Sequence, residues 1–276
     1  MKKIIAIVLV VLYLAVWGMQ KSKGEWSDYY LSPAPPAPAM RIASGYAQQM
    51  AGFALFVKVA IFTGGPLIGV AKLSYADNMS QNFEVMTELY PDFIDSYHYC
   101  QSYLASISPE YARKTNDILD RAIAAHPDIL YLPFFKAFNY FYYMDQPLQA
   151  AELFLSMSKH PDAPPWFGHF AGTLMARGGN LAAGRTMLQA MMNTEKDEYI
   201  KRRYRRSIEN FNAALKVQAA LDDFREKHGE DAATLDELIP HYFSKLPHLN
   251  DNNVLVWQPP LLHLDRPNLH KPEAKK

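Results

Sequence analysis

The chain has 276 residues, 49% of them apolar, and its 28 lysines and arginines are matched by 28 aspartates and glutamates. That length suits one or two domains with a real core, and a net charge of zero removes any global electrostatic case for nucleic acid as a partner. A single cysteine, Cys100, excludes an intramolecular disulfide framework and leaves the compartment open. Abundant Tyr (17) and Phe (15) beside modest Gly (13) fit long helices packed on aromatic side chains.

Met1-Lys2-Lys3 precede an unbroken apolar run, Ile4 to Met19. Positive charge followed by such a run makes an export signal. As a helix the run reaches about 24 Å, short of a ~30 Å hydrocarbon core. Tyr13 and Trp17 suit the interface, and Lys21 and Lys23 can snorkel, which lengthens the effective span. Val16-Trp17-Gly18 is a poor cleavage site, and no cysteine near the end of the run offers a lipid anchor. Residues 1–23 are therefore expected to be a membrane anchor, the alternative being a cleaved signal and a secreted chain. Either places the folded part outside the cytoplasm. Residues 24–40, with Ser32-Pro33-Ala34-Pro35-Pro36-Ala37-Pro38-Ala39, are expected to form an extended spacer that holds the folded part off the bilayer.

Arg41 to Phe62 reads as a helix with Tyr46, Met50, Phe53, Leu55, Phe56 and Val59 on its apolar face, ended by Thr63-Gly64-Gly65-Pro66. Ala51 to Ala71 is apolar enough to suggest a second span, but Lys58 in its middle and the Gly-Gly-Pro break favour a buried helix. A helix from Ala76 to Tyr90 completes a capping hairpin over residues 41–90.

Three Pro-Asp dipeptides come next, at Pro91, Pro127 and Pro161, spaced 36 and 34 residues apart. A period near 34 marks a helix-turn-helix array. Numbering each unit from the third residue after its proline, the first has Tyr97 at 4, Gln101 at 8 and Leu104 at 11, then Thr115, Leu119 and Ala122 at 20, 24 and 27. The second has Pro133 at 4, Ala137 at 8 and Tyr140 at 11, and its second helix, with Ala150 and Phe154, runs one residue late. The third has Phe167, Ala171, Leu174, Ala183, Met187 and Ala190 at 4, 8, 11, 20, 24 and 27. Small residues at 8 and 20 let two helices approach, and bulky ones at 4, 11 and 24 fill the groove.

Over residues 76–195 this pattern resembles the tetratricopeptide repeat family, in its exported bacterial envelope form. The resemblance implies an all-α fold: a right-handed α-solenoid of helical hairpins with an N-terminal membrane helix and a short irregular C-terminal region. The three repeat units would occupy residues 91–195. It also implies a concave groove for an extended or helical peptide, lined by positions 2, 5, 9, 12 and 13 of each first helix. Carried over, these are Tyr131, Phe134, Phe138, Phe141 and Tyr142 in the second unit, Asp95, His98 and Ser102 in the first, and Gly168, Gly172 and Met175 in the third. An aromatic wall opposite small residues would make a peptide cleft, unless the C-terminal helix folds back over it.

Glu195 to Lys227 reads as a long helix closing the array. Thr234 is its successor's N-cap, with Glu237 completing a capping box and a short helix running to Phe243. The run Phe224 to Pro247 resembles a segment of type II secretion pseudopilin heads. Val254 to Trp257 is a short strand or packed chain. Residues 196–258 thus form a capping helix and small appended region, and 259–276 a loose tail.

Candidate chemistry is sparse. Cys100 and His98 lie two apart on one helix and point to different faces, so Cys100 reads as a buried structural thiol. His126 and His160 are loop residues about one repeat apart, and His241 and His248 with Asp236 and Glu237 are scattered. No catalytic or metal site and no cofactor is expected. The sharpest charge feature is Lys201, Arg202, Arg203, Arg205 and Arg206, read either as a solvated helix face or as a contact for anionic headgroups, an envelope glycan or an acidic partner. The expected function is a non-enzymatic scaffold of the cell envelope. It would bind a protein or peptide on its concave face, in pilus, secretion or surface-polymer assembly. Alternatives are a structural subunit of such a machine, or a hydrolase with a histidine or acid site where the repeats meet the C-terminal region.

Overall fold

The computed structural model describes residues 30–65 and 70–266, together with positions 10, 11 and 13. Apart from those three positions, the expected anchor over residues 1–23 lies outside the described residues, as does the chain beyond 266. What is described is mostly helical, as expected for an all-α protein. Two compact units divide between Ser96 and Tyr97.

The first unit contains α1 (Ala37–Ser44), a 3-10 turn at Gly45–Ala47, α2 (Gln48–Gly64) and α3 (Leu73–Leu89). The single helix expected from Arg41 to Phe62 is thus two, hinged where Gly45 adopts a φ of 53°. α2 packs on α3 through Gly52, Leu55, Val59 and Phe62, with Met79, Phe83 and Met86 buried on α3. A Cβ at Gly52 would meet Tyr90 Cβ at 3.0 Å and Met86 O at 3.2 Å, so a glycine is what lets the two helices close.

The proline-rich segment is not the expected spacer. Leu31, Ala34 and Ala37 are buried, three residues apart, which is the period of an extended polyproline helix laying one edge on a surface. Side chains of the hairpin hold its carbonyls: Asn78 Nδ2 donates to Leu31 O (2.9 Å), and Lys58 Nζ (2.7 Å) and Asn82 Nδ2 (2.9 Å) both donate to Ser32 O. A polyproline backbone has no internal hydrogen bonds, so its carbonyls are free to accept these. Residues 31–36 therefore strap the hairpin.

The second unit is built around α5 (Pro109–Ala125), α6 (Tyr131–Phe138), α7 (Pro147–Met157), α8 (Trp166–Arg177), α9 (Leu181–Thr194) and α10 (Glu198–His228). α4 (Ile94–Tyr103) carries the division between the units. From α5 onward each helix packs on its neighbours in the chain. Prolines open α5 and α7 at their first turn, where the missing N–H costs nothing. Cys100 is buried, its Sγ 4.0 Å from Thr115 Oγ1.

Two departures from the repeat pattern have physical causes. Gln101, large and polar where a small residue was expected, belongs to a buried amide network. It exchanges hydrogen bonds with Asn139 (2.7 and 2.8 Å), whose Nδ2 also donates to Asn116 Oδ1 (2.8 Å). The one-residue delay of the second unit is a π-turn, Asn139–Tyr143, continuing α6. Met144 N–H donates to Asn139 O, five residues back rather than four (3.1 Å). Such a turn accommodates one extra residue inside a helix, and so shifts α7 one residue later in the register.

α10 buries Tyr204, Ile208, Phe211, Ala214, Val217 and Leu221 in the C-terminal core. Gly184 of α9 lies under Phe211, where a Cβ would come within 2.5 Å of the ring. The capping box at Thr234 forms, Glu237 accepting from Thr234 N–H at 3.2 Å. The helix it opens is a single 3-10 turn, Leu235–Leu238, and does not reach Phe243. Pro240 has no N–H to extend it. The expected loose tail is corrected as well. β1 (Val254–Gln258) pairs antiparallel with β2 (Leu261–Asp265) in the register Val256↔His263. Pro259-Pro260 form the turn between them. Leu262 and Leu264 enter the core, and Trp257 Nε1 donates to Ala232 O (2.6 Å).

Candidate binding cleft

The expected aromatic wall on α6 divides into two faces. Phe134, Ala137 and Phe141 lie along one helical stripe, and the buried Ala137 carries its neighbours into the core. Phe134 stacks on Phe167 (centroids 6.0 Å, 11°) and meets Phe154 edge-on (5.9 Å). Phe141 meets Phe170 edge-on (5.5 Å) and lies under the Arg177 guanidinium (5.1 Å). Met175 packs against the same cluster. Phe134, Phe141 and Met175 are half-buried, and each packs against this buried cluster. Gly168 and Gly172 are core residues: a Cβ at Gly168 would come within 1.8 Å of Met191 Cε, and one at Gly172 within 2.9 Å of Leu188.

The other face keeps Tyr131, Phe138 and Tyr142, and adds Phe135, which the repeat positions had passed over. His98 lies against Tyr131 (4.5 Å) and edge-on to Phe135 (5.0 Å). Phe138 stacks on Tyr142 (5.0 Å, 17°). All are half-buried, and Asp95 is exposed near the start of α4. α10 packs on α9 and on β2, so this wall is not where the C-terminal helix chiefly lies.

The basic run resolves by helical geometry. Tyr204, in its middle, is 1% exposed, which fixes the rotation of α10. Arg203, Arg206 and Ser207 then flank the buried stripe on the side of α8, while Arg202 and Arg205 turn outward. Lys201 is bound to Glu198 (2.8 Å), and Arg202 lies over the Tyr199 ring (6.0 Å). Arg203 has no carboxylate partner among the described residues.

Between α8, the first turns of α10 and the C-terminal chain lie two adjoining hollows, of about 310 and 210 Å³. They share His169, Tyr199 and Arg203. The larger is apolar, with Pro165, Trp166, Ile200 and Tyr204. The smaller is polar, with Thr173, Arg206, Ser207, Asn253 and Arg266. Asp251 is the one carboxylate in its lining. It faces Arg206 at 3.6 Å, and its backbone oxygen accepts from Arg266 Nε at 3.1 Å. Three guanidiniums against one carboxylate leave this half cationic. Asp197 lies at the rim of the other half, engaged as the N-cap of α10 by the N–H groups of Tyr199 and Ile200.

His169 stands between the halves. Its Nε2 is 2.9 Å from Ser207 Oγ. Burial first, then Arg203 and Arg266, pull its pKa down to about 4, against a smaller opposing pull from Asp251. The imidazole is therefore neutral at physiological pH and a poor base for a serine hydroxyl. The pair serves better as a polar seam, offering a hydrogen bond to a ligand laid across it. A molecule with an apolar part against Trp166, Tyr199 and Ile200 and a carboxylate or phosphate toward Arg203, Arg206 and Arg266 matches both halves. Among the described residues, no three His, Cys, Asp or Glu side chains converge on a metal-sized site.

Arg203 and Arg206 were legible as part of the basic run, whereas His169, Trp166 and Arg266 were not. The available signal was the stripe Tyr204, Ile208, Phe211, which orients α10. Comparison of the chain with models of protein families, with curated proteins and with solved structures finds no match.

Proposed function

We propose that the chain is a non-enzymatic, membrane-tethered scaffold of the bacterial cell envelope, and that it holds a partner protein through a segment carrying a carboxylate beside an apolar side chain. The observation that carries this reading is the convergence of Arg203, Arg206 and Arg266 beside the apolar floor of Trp166, Tyr199 and Ile200. Charge-assisted pairing fixes the acidic group, and aromatic burial supplies affinity. The binding site is thus the cleft between α8 and α10 rather than the wall on α6.

In this reading the helices form tetratricopeptide-type hairpins in a right-handed array. Support comes from the packing of each helix on its chain neighbours. It also comes from burial of Tyr97, Leu104, Leu119, Ala122, Ala137, Phe167, Ala171 and Leu174 at register positions. The Ile4–Met19 run supports the tether and the export.

The test is crosslinking in the native cell. Arg203→Glu combined with Arg206→Glu abolishes capture of the partner, whereas Phe138→Asp retains it. Capture retained by the double variant, or lost with Phe138→Asp alone, overturns the cleft. The alternative hydrolase reading draws on the His169–Ser207 contact. It requires that Ser207→Ala remove an activity, and the low basicity of His169 weighs against it.

A further inference from the structure

The outward face of α1 and α2 is apolar where a water-facing helix would be polar. Ile42, Tyr46, Met50, Phe53, Val57 and Ile61 succeed one another at helical spacing and are 86, 111, 75, 48, 38 and 72% exposed. Met50, Phe53, Val57 and Ile61 form one stripe along the side of α2 opposite Leu55, Val59 and Phe62, and Ile42 and Tyr46 are exposed just before it. By length and composition Ala37–Gly64 would suffice to cross a membrane.

The charges of this stretch turn away from that stripe. Between Ala37 and Gly64 the charged residues are Arg41 and Lys58. Lys58 Nζ points to the strap and α3, donating to Ser32 O (2.7 Å) and Asn82 Oδ1 (3.1 Å). Arg41 pairs with Glu88 of α3 (3.4 Å). A helix docking on a soluble partner gains from a charged rim; this one keeps its charges on the inner side.

Crossing the bilayer is not open to this hairpin as folded. The inner face of α2 is committed to α3, which carries Asp77, Asn78, Gln81, Asn82, Glu84 and Glu88, and hydrocarbon would strand those groups. Lying in the interface satisfies both sides: the stripe enters the acyl boundary and α3 stays in water. The chain also brings the hairpin there. Eleven residues, 20–30, separate the Ile4–Met19 run from the strap at Leu31, and a segment that long spans at most about 40 Å.

We propose that the Ile42–Ile61 face lies on the lipid surface, seating the first unit against the membrane in which the Ile4–Met19 run is anchored. The proposal rests on that anchor reading, and depth labelling separates the failure of one from the failure of the other. The full chain is reconstituted in phosphatidylcholine–phosphatidylglycerol vesicles. Spin labels are placed singly at Phe53→Cys, Ile61→Cys, Val10→Cys and Glu152→Cys. Relative collision with oxygen, which concentrates in lipid, and with a water-soluble nickel chelate reports depth. All of Phe53, Ile61 and Glu152 are exposed, so labelling leaves the core intact. The expected oxygen-to-nickel ratio at 53 and 61 is several-fold above that at 152, approaching that at 10. A ratio at 53 and 61 equal to that at 152, with 10 still high, overturns the surface contact and leaves the anchor. A low ratio at all four positions overturns both. Shielding of 53 and 61 from both reagents means that protein covers the face, and overturns the lipid assignment.

Discussion

α2 and α10 are built alike on their inner sides and oppositely on their outer ones. α2 buries Leu55, Val59 and Phe62, and α10 buries Tyr204, Ile208, Phe211 and Leu221. Outward, α2 shows Phe53, Val57 and Ile61, while α10 shows Arg202, Arg205, Glu209 and Lys216. The inner faces obey one rule, since apolar area removed from water stabilises any helix pair. The outer faces contribute little to folding, so their composition reports the medium or partner that meets them.

Substitutions at four places test this difference between inner and outer faces. The largest effect is expected on the inner faces: Phe211→Ala and Phe62→Ala should each cost about 3–5 kcal/mol, read as a lowered midpoint of urea unfolding. A cost near zero at Phe62 would mean that α2 is held by its surroundings rather than by α3. Next is Asn139→Leu, which leaves the Gln101 and Asn116 amides without their shared partner and should cost about 2–3 kcal/mol by the same measurement.

The third concerns pH. His169 is held near pKa 4 against an ordinary 6.5, so between those values the unfolded chain binds the extra proton. The contribution is present in full above pH 6.5 and is lost as pH falls through that window, to a limit of about 3 kcal/mol. His169→Gln should flatten that part of the stability–pH curve, and an unchanged slope would mean that the ring is solvated. The smallest effect is on the outer face of α2, where Ile61→Ser should change stability by less than about 0.5 kcal/mol, whereas Val59→Ser, one turn-edge away, should cost several times more.

The helices were legible because their apolar spacing repeats over many residues, and the Pro-Asp punctuation separated them. What escaped was structure with few repeats or an unusual period. Leu31, Ala34 and Ala37 recur every third residue, a spacing that proline-rich composition masks as linker. Leu262 and Leu264 offer one alternation after two prolines, too little to declare a strand. The π-turn was visible only as its consequence, the late position of Ala150 and Phe154. Of the cleft, the basic run was legible as charge, but choosing Arg203 and Arg206 over Arg202 and Arg205 required the rotation set by Tyr204. Trp166, His169 and Arg266 come from elements far apart in the chain, and nothing local links them.

The position of Arg266 has a further consequence. It is the last described residue, and it lines the same hollow as Arg203, 63 residues earlier in the chain. An acidic ligand held by Arg203 and Arg266 together would act as a removable crosslink closing that long loop. It would bind the folded form alone, and so would raise the hairpin's resistance to local opening in proportion to its occupancy. Slowed amide exchange at Leu262 and Leu264 would then mark the occupied state without reference to the ligand's identity.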